Sequence, residues 1–262
     1  AFLKRQRTGA SLGPRSILNT VVGCFYRPPA YTDWLKTAKV GLDDPILDVG
    51  CGAGELLVRL SKDGFTNLTG IEPYISEDVI YPNGIRILRR SMDQIDEQFS
   101  FVMLHHCFEH MADPLRALCE VHRLLMPGKM ALVRLPVAGS FAWEHYGPYW
   151  VQLDAPRHLF LHTPSSMAIL AQKTGLRIVS TVFDSDAFQF WGSEQYQMDI
   201  ALKDPHSFAE GRNPPLFTKR QIRQFNTEAR KLNRKNKGDQ ACFYLLRPAA
   251  KGPIEVEDKP SC

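Results

Sequence analysis

The chain has six cysteines, at positions 24, 51, 107, 119, 242 and 262, and no C-x-x-C pair among them. That removes the spacing of dithiol redox motifs and of zinc ribbons. Cys51 falls between glycines of a tight turn, an awkward place for a structural bridge, so reduced thiols and a cytoplasmic setting are expected. No run of apolar residues is long enough to span a bilayer, and nothing like a secretory h-region follows Ala1 to Arg7. Neither a signal peptide nor a membrane span is expected. An overall basic character is also lacking. Lys219 to Lys237 holds eight Lys and Arg against the single Glu228, a local +7 in a chain whose net charge is +4, so the rest carries −3. The charge is one basic segment and gives no whole-protein nucleic-acid footprint. With 44% hydrophobic and 23% charged residues in 262, the composition excludes general disorder and suits one decorated domain.

What the chain does have is Ile46-Leu47-Asp48-Val49-Gly50-Cys51-Gly52-Ala53-Gly54-Glu55-Leu56-Leu57, an apolar run broken by three alternating glycines and resumed at helical spacing. Strand, tight turn and helix follow, with a backbone that a ligand can approach closely beside amides at a helix start. A dinucleotide fingerprint would need its third glycine one place later, where Glu55 stands, and no P-loop lysine follows. D-V-G-C-G-A-G instead resembles the first motif of the class I S-adenosylmethionine-dependent methyltransferases, whose glycine turn underlies a cationic methionine moiety.

The resemblance extends in order along residues 42 to 183 and to the last strand. Glu72-Pro73 ends a short strand, Leu68 to Ile71, where an acid can accept from both ribose hydroxyls of a nucleoside across the sheet edge. At the end of the next strand, Ile85 to Leu88, the resemblance implies that Asp93 bonds the adenine amino group while Met92 packs on the ring. Phe101 to Leu104 is the fourth strand, and Asp113-Pro114 caps the helix after it. The run from Phe99 to Lys129 is similar to the family's corresponding segment, departing at Ser100, where an Asp is usual, and at Lys129, where a Gly is usual. The implied fold is an α/β, Rossmann-like, seven-stranded, mostly parallel sheet with helices on both faces and an antiparallel last strand, here Gln240 to Leu246. Implied cofactor residues are Asp48, Gly50, Cys51, Gly52, Gly54, Glu72, Pro73, Met92, Asp93 and His105.

Around this core, residues 1–40 read as an N-terminal helical arm, in which Tyr26, Arg27 and Tyr31 could form a lid or simply pack on the flank. Residues 41–249 are the methyltransferase domain, with 137–163 as a substrate loop without periodicity, 188–239 as a mostly helical insertion, and 250–262 as a flexible tail. His105, His106 and His110 invite a metal, but neighbours on a strand point to opposite faces and no matching carboxylate or thiolate spacing appears, so no metal is expected. Leu153-Asp154-Ala155-Pro156-Arg157-His158-Leu159 resembles a segment of a methyltransferase subgroup common in bacterial glycan, quinone and secondary-metabolite pathways. His158, four residues from Asp154, is a candidate general base or a loop anchor, with His105 the alternative base. Asn213-Pro214-Pro215-Leu216 lies in the wrong place for the motif of amino-directed DNA methyltransferases and reads as a linker.

The expected activity is methyl transfer from S-adenosylmethionine to oxygen of a small molecule or saccharide, which the basic helix 219–233 would suit if anionic. The competing readings are an RNA or protein methyltransferase and a non-catalytic methyltransferase-like binding subunit. Nothing in the sequence fixes the oligomeric state.

Overall fold

A computed structural model describes residues 31–211 and 215–249, together with Arg5, Thr8, Gly9, Leu12 and Pro29. Tyr26, Arg27, Asn213, Pro214 and the segment 250–262 lie outside the described residues. The first described helix, α1 (Tyr31–Thr37), is followed by β1 (Ile46–Val49), α2 (Glu55–Lys62), β2 (Leu68–Ile71), β3 (Val79–Ile80), β4 (Arg86–Leu88) and β5 (Phe99–His105). Then come α3 (Pro114–Leu124), β6 (Leu125–Pro136), α4 (Phe141–Tyr146), α5 (Pro164–Lys173), β7 (Arg177–Phe183), α6 (Phe188–Gln197), α7 (Lys219–Arg234) and β8 (Gln240–Leu246).

These strands form one sheet in the order β3-β4-β2-β1-β5-β6-β8-β7. The count is eight rather than seven. The extra strand is the two-residue β3, exposed and antiparallel to β4 at the sheet's edge. The five strands from β4 to β6 are parallel, and β8 is antiparallel to both β6 and β7. All of β1 is buried, as a parallel strand covered on both faces must be, which is why its sequence shows a continuous apolar run and no alternation.

Alternate residues divide between two cores. Leu47, Val49, Val102 and Leu104 meet Leu118, Val121 and Leu124 of α3 and Met167 of α5. Ile46, Phe101 and Met103 meet Leu35 of α1 and Leu57 and Leu60 of α2. A third cluster joins Ala142, Tyr146 and Trp150 of the post-β6 loop to Phe190 of α6 and Ala229 and Leu232 of α7. The segment expected to lack periodicity therefore contains a helix: Ser140 caps α4 by accepting from the Trp143 amide, and its aromatic rings serve a small core of their own. The reduced-thiol expectation is corrected at one position. Cys51, Cys107 and Cys242 are free, but Cys119 is disulfide-bonded. Among the described residues no helix is long and apolar enough to cross a membrane.

Candidate active site

Gly50, Gly52 and Gly54 all have positive φ, at 70°, 53° and 76°. Their roles differ. A Cβ on Gly50 would lie 2.7 Å from Cβ of Cys107, and one on Gly54 would lie 2.6 Å from Cδ1 of Ile87. Those two glycines permit close packing of turn against sheet. Around Gly52 nothing lies within 4 Å of such an atom, so the turn is open on its Cα side, while its amide points to the second strand's end. That amide donates to Oε2 of Glu72 at 3.3 Å, and the Tyr74 amide donates to Oε1 at 3.2 Å. The carboxylate is thus aimed across the strand ends, with lone pairs left for ligand hydroxyls.

A cleft of about 840 Å³ opens beside it, between the carboxyl ends of β1, β2 and β4 and the first turns of α3. Of the expected residues, Gly50, Glu72, Pro73, Met92 and Asp93 line it. The turn that carries Met92 and Asp93 is fixed from both ends. Ser91 and Gln94 form a capping box, and the Arg123 guanidinium donates to the carbonyls of Ile95 at 2.6 Å and Met92 at 2.8 Å. A hydrogen bond from Ser91, with Arg116 and Arg123 nearby, holds the Asp93 carboxyl below its ordinary pKa. Acids at the mouth with Ile71, Met92 and Met111 on the walls suit a nucleoside carrying a positive charge.

Asp48, Cys51, Gly52, Gly54 and His105 do not line this cleft. Asp48 shares the α2 side of β1 with Ile46, and burial raises its pKa from 3.8 to about 7. Burial likewise pushes the Cys51 thiol up to about 12. His105 packs its ring on Trp34 at 4.4 Å between centroids, with both ring nitrogens buried and unpartnered among the described residues. Desolvation and the nearby Arg134 charge lower its pKa to about 3. Tyr31, a lid candidate, donates instead to Asp63 at the end of α2.

The cleft lining also includes His106, Cys107, His110, Arg116 and Leu159, none of which was singled out for the cofactor. For all but Leu159, which arrives from the loop after α4, the signal was their place after β5 and in the first turn of α3. His106 has φ +50° and turns the chain out of the sheet. Its Nε2 accepts from Arg134 at 2.8 Å, and Arg134 in turn donates to Asp184 at 2.7 Å.

The loop after α4 is tied to this corner by backbone. The amides of Leu159 and Phe160 donate to the Glu109 carbonyl at 2.9 and 3.3 Å, and Nδ1 of His110 donates to the Arg157 carbonyl at 2.8 Å. Its base is anchored on the buried Asp239, which accepts from Nε1 of Trp150 at 2.9 Å and Nε2 of Gln152 at 2.6 Å. Nδ1 of His158 donates to the Gln152 carbonyl at 2.8 Å, which leaves Nε2 with its lone pair, 3.7 Å from Asp154 and 3.9 Å from Glu109. Burial lowers the His158 pKa despite those two acids, keeping the ring neutral and proton-accepting. His158 and Asp154 are thus brought together with Glu109, and His105 stands apart on the other face.

A three-glycine turn, an acid at the second parallel strand's end and an adenine-sized cleft beside α3 define a class I, S-adenosylmethionine-dependent methyltransferase. The chain belongs to the methyltransferase domain family, which it matches over residues 24–181. Its fold resembles that of a Bacillus halodurans protein provisionally assigned as a methyltransferase (12% identity, 84% of this chain and 99% of that one, TM-score 0.53). A Galdieria sulphuraria protein provisionally assigned as a sarcosine dimethylglycine methyltransferase is similar too (16% identity, 82% and 83%, TM-score 0.52). At these identities the likeness shows the fold. The human EEF1A lysine methyltransferase 2 is 49% identical over 39 residues, a match spanning 15% of this chain and 16% of that protein's length.

Proposed function

We propose that the chain methylates a hydroxyl of a small molecule or saccharide and that His158 accepts the proton. S-adenosylmethionine, when bound, supplies a methyl group already activated on a sulfonium. Gly50 lets it approach the turn and Glu72, oriented by the Gly52 amide, accepts from its ribose, while Asp93 and Met92 receive the adenine. Asp48, Cys51 and Gly54 support the turn from beneath, and Pro73 flanks the ribose acid. The chain's remaining task is to hold the acceptor in line and take its proton. The observation that carries this reading is the His158 ring, locked by the Gln152 carbonyl with Nε2 bare beside Asp154 and Glu109. Those carboxylates stabilise the imidazolium as it forms. His105, buried against Trp34, has Arg134 and His106 as its charged neighbours among the described residues, and neither can do the same.

The domain comprises residues 41–249, with 137–163 as the substrate loop and 188–239 as an insertion that shapes the acceptor's side. A second cavity, of about 880 Å³, lies between α4, α6 and α7, where Phe141, Phe190 and Phe225 meet Arg220, Arg223 and Lys231. Rings beside guanidinium groups favour an acceptor with an anionic portion. A cytoplasmic location belongs to the same proposal, supported by the free thiols of Cys51, Cys107 and Cys242 and opposed by the disulfide at Cys119.

The test is a turnover assay on hydroxylated small molecules and sugars, run on chelator-treated protein with cofactor affinity measured in parallel. His158→Gln should lose about 10²–10⁴-fold in rate at unchanged affinity. Near-normal turnover would remove the base assignment. A second reading, methylation of protein lysine, is favoured by the 39-residue match alone. Transfer to a folded protein substrate but to no small hydroxyl would put it first.

A further inference from the structure

The side chain of Glu109 is 1% exposed, and among the described residues neither of its oxygens has a hydrogen-bond partner. A buried carboxylate is tolerated when it is paired, protonated or bound to a cation. Three imidazoles surround it, those of His106, His110 and His158, and backbone fixes which nitrogen donates in the last two. A carbonyl oxygen can only accept, so Nδ1 of His110, on the Arg157 carbonyl, and Nδ1 of His158, on the Gln152 carbonyl, must each carry the proton. In a neutral ring so held, Nε2 keeps its lone pair, and Nε2 of His158 lies 3.9 Å from Oε1 of Glu109. Nδ1–H bonded to backbone with Nε2 bare is the state in which histidine binds a metal.

We propose that Glu109, His110 and His158 form a site for one divalent transition-metal ion of the zinc type, at the rim of the cofactor cleft. The ligating atoms of the three residues all lie within 4.8 Å of one another, and Nε2 of His158 is 3.9 Å from Oε1 of Glu109. Bonds of about 2.0–2.2 Å place tetrahedral neighbours about 3.4 Å apart, so the cluster needs to contract by about 0.5–1.4 Å. His110 is exposed and lines the cleft, which gives the ion an entry path and leaves a coordination position open towards the acceptor. Outer groups are in place as well. With Arg134 donating to its Nε2, His106 carries its proton on Nδ1, 3.4 Å from Oε1 of Glu109, a donor that would orient the ligating carboxylate. Oδ2 of Asp154, 3.7 Å from Nε2 of His158, is the nearest further oxygen. Two nitrogens and one carboxylate select Zn²⁺, Co²⁺ or Ni²⁺ over the oxygen-seeking Mg²⁺ and Ca²⁺. The sequence hid the site because its second histidine follows the first by 48 positions.

The metal proposal does not rest on the reaction proposed above. An ion on Nε2 of His158 occupies the lone pair that proton removal needs, so the free base exists in the chelated protein and the two roles are separable. The experiment is a Co²⁺ titration of chelator-treated, full-length protein without cofactor or acceptor, followed by visible absorption and calorimetry. Expected are one equivalent bound, the ligand-field bands of a low-coordinate ion, displacement by Zn²⁺, and at least the roughly 100-fold loss of affinity that disturbing a metal shell brings in His110→Gln and His158→Gln. His206→Gln, at a surface histidine beside Asp204, should bind as the unaltered protein does. A folded unaltered protein that takes up no ion overturns the proposal without reference to any variant, and so does stoichiometric uptake that survives both substitutions.

Discussion

The two halves of the site are built by different means. On one side, Gly50 to Gly54, Glu72 and Met92-Asp93 each follow a parallel strand, so the register of β1, β2 and β4 alone sets their spacing. On the other, Glu109 and His158 are 49 positions apart and meet because loop amides bond to the Glu109 carbonyl. A sheet edge builds a binding surface by hanging a few side chains, Glu72 and Asp93 among them, on backbone register. A loop clasp makes a reactive centre out of side chains, and one substitution removes it.

Four experiments press on that contrast. The largest effect is expected at His158→Gln, where rate should fall with cofactor binding intact; a matching loss of affinity would mean that the halves are coupled. Next, Gly54→Ala should cost about 2–5 kcal/mol of stability, adding about 1–2 for a left-handed non-glycine residue to about 1–3 for overpacking against Ile87. Its thermal unfolding checks this, and an unchanged midpoint would show that the turn can relax. Third, Asp48 titrates near 7 in the folded protein and near 3.8 when free. The folded state then holds a proton that the unfolded chain has released, so stability should fall as pH rises from about 4 to 7, by at most about 4 kcal/mol at about 1.4 per unit. Asp48→Asn should flatten that slope, as should bound cofactor, whose positive charge favours the carboxylate; denaturation curves across the window measure both. Smallest, Glu72→Ala should weaken cofactor binding by about 1.5–3 kcal/mol, the worth of hydrogen bonds to a charged group. Normal affinity by calorimetry would take the ribose from Glu72.

The same contrast sets what could be read from the sequence. β2 and β8 were legible to the residue and β1 nearly so, because apolar runs ending in turn residues report local structure. β3 was not, since Val79 and Ile80 are two exposed residues with no pattern to repeat. α4 was masked by an aromatic run in which the rings serve a third core rather than a helix stripe. Glu72 could be proposed from its place at a strand end after the glycine turn, and Asp93 only from the resemblance. Glu109 reads in sequence as an organiser of a helix entry, and only the arrival of the distant loop shows that its carboxylate is enclosed by histidines. Asp48 and His105 sit in the right stretches, but strand alternation turns them away from the cleft.

The anchoring of that loop on Asp239 also bears on the order in which the protein comes into being. The chain leaves the ribosome from its N-terminus at about 5–20 residues per second, and every residue lining the adenine cleft except Leu159 has been made once α3 is complete. Asp239, which holds Trp150 and Gln152 and through Gln152 the His158 ring, stands immediately before β8, the strand that slots between β6 and β7. A growing chain can therefore form its nucleoside pocket well before it can position the group assigned to take the proton, and the reactive half of the site waits on the last strand to be synthesised.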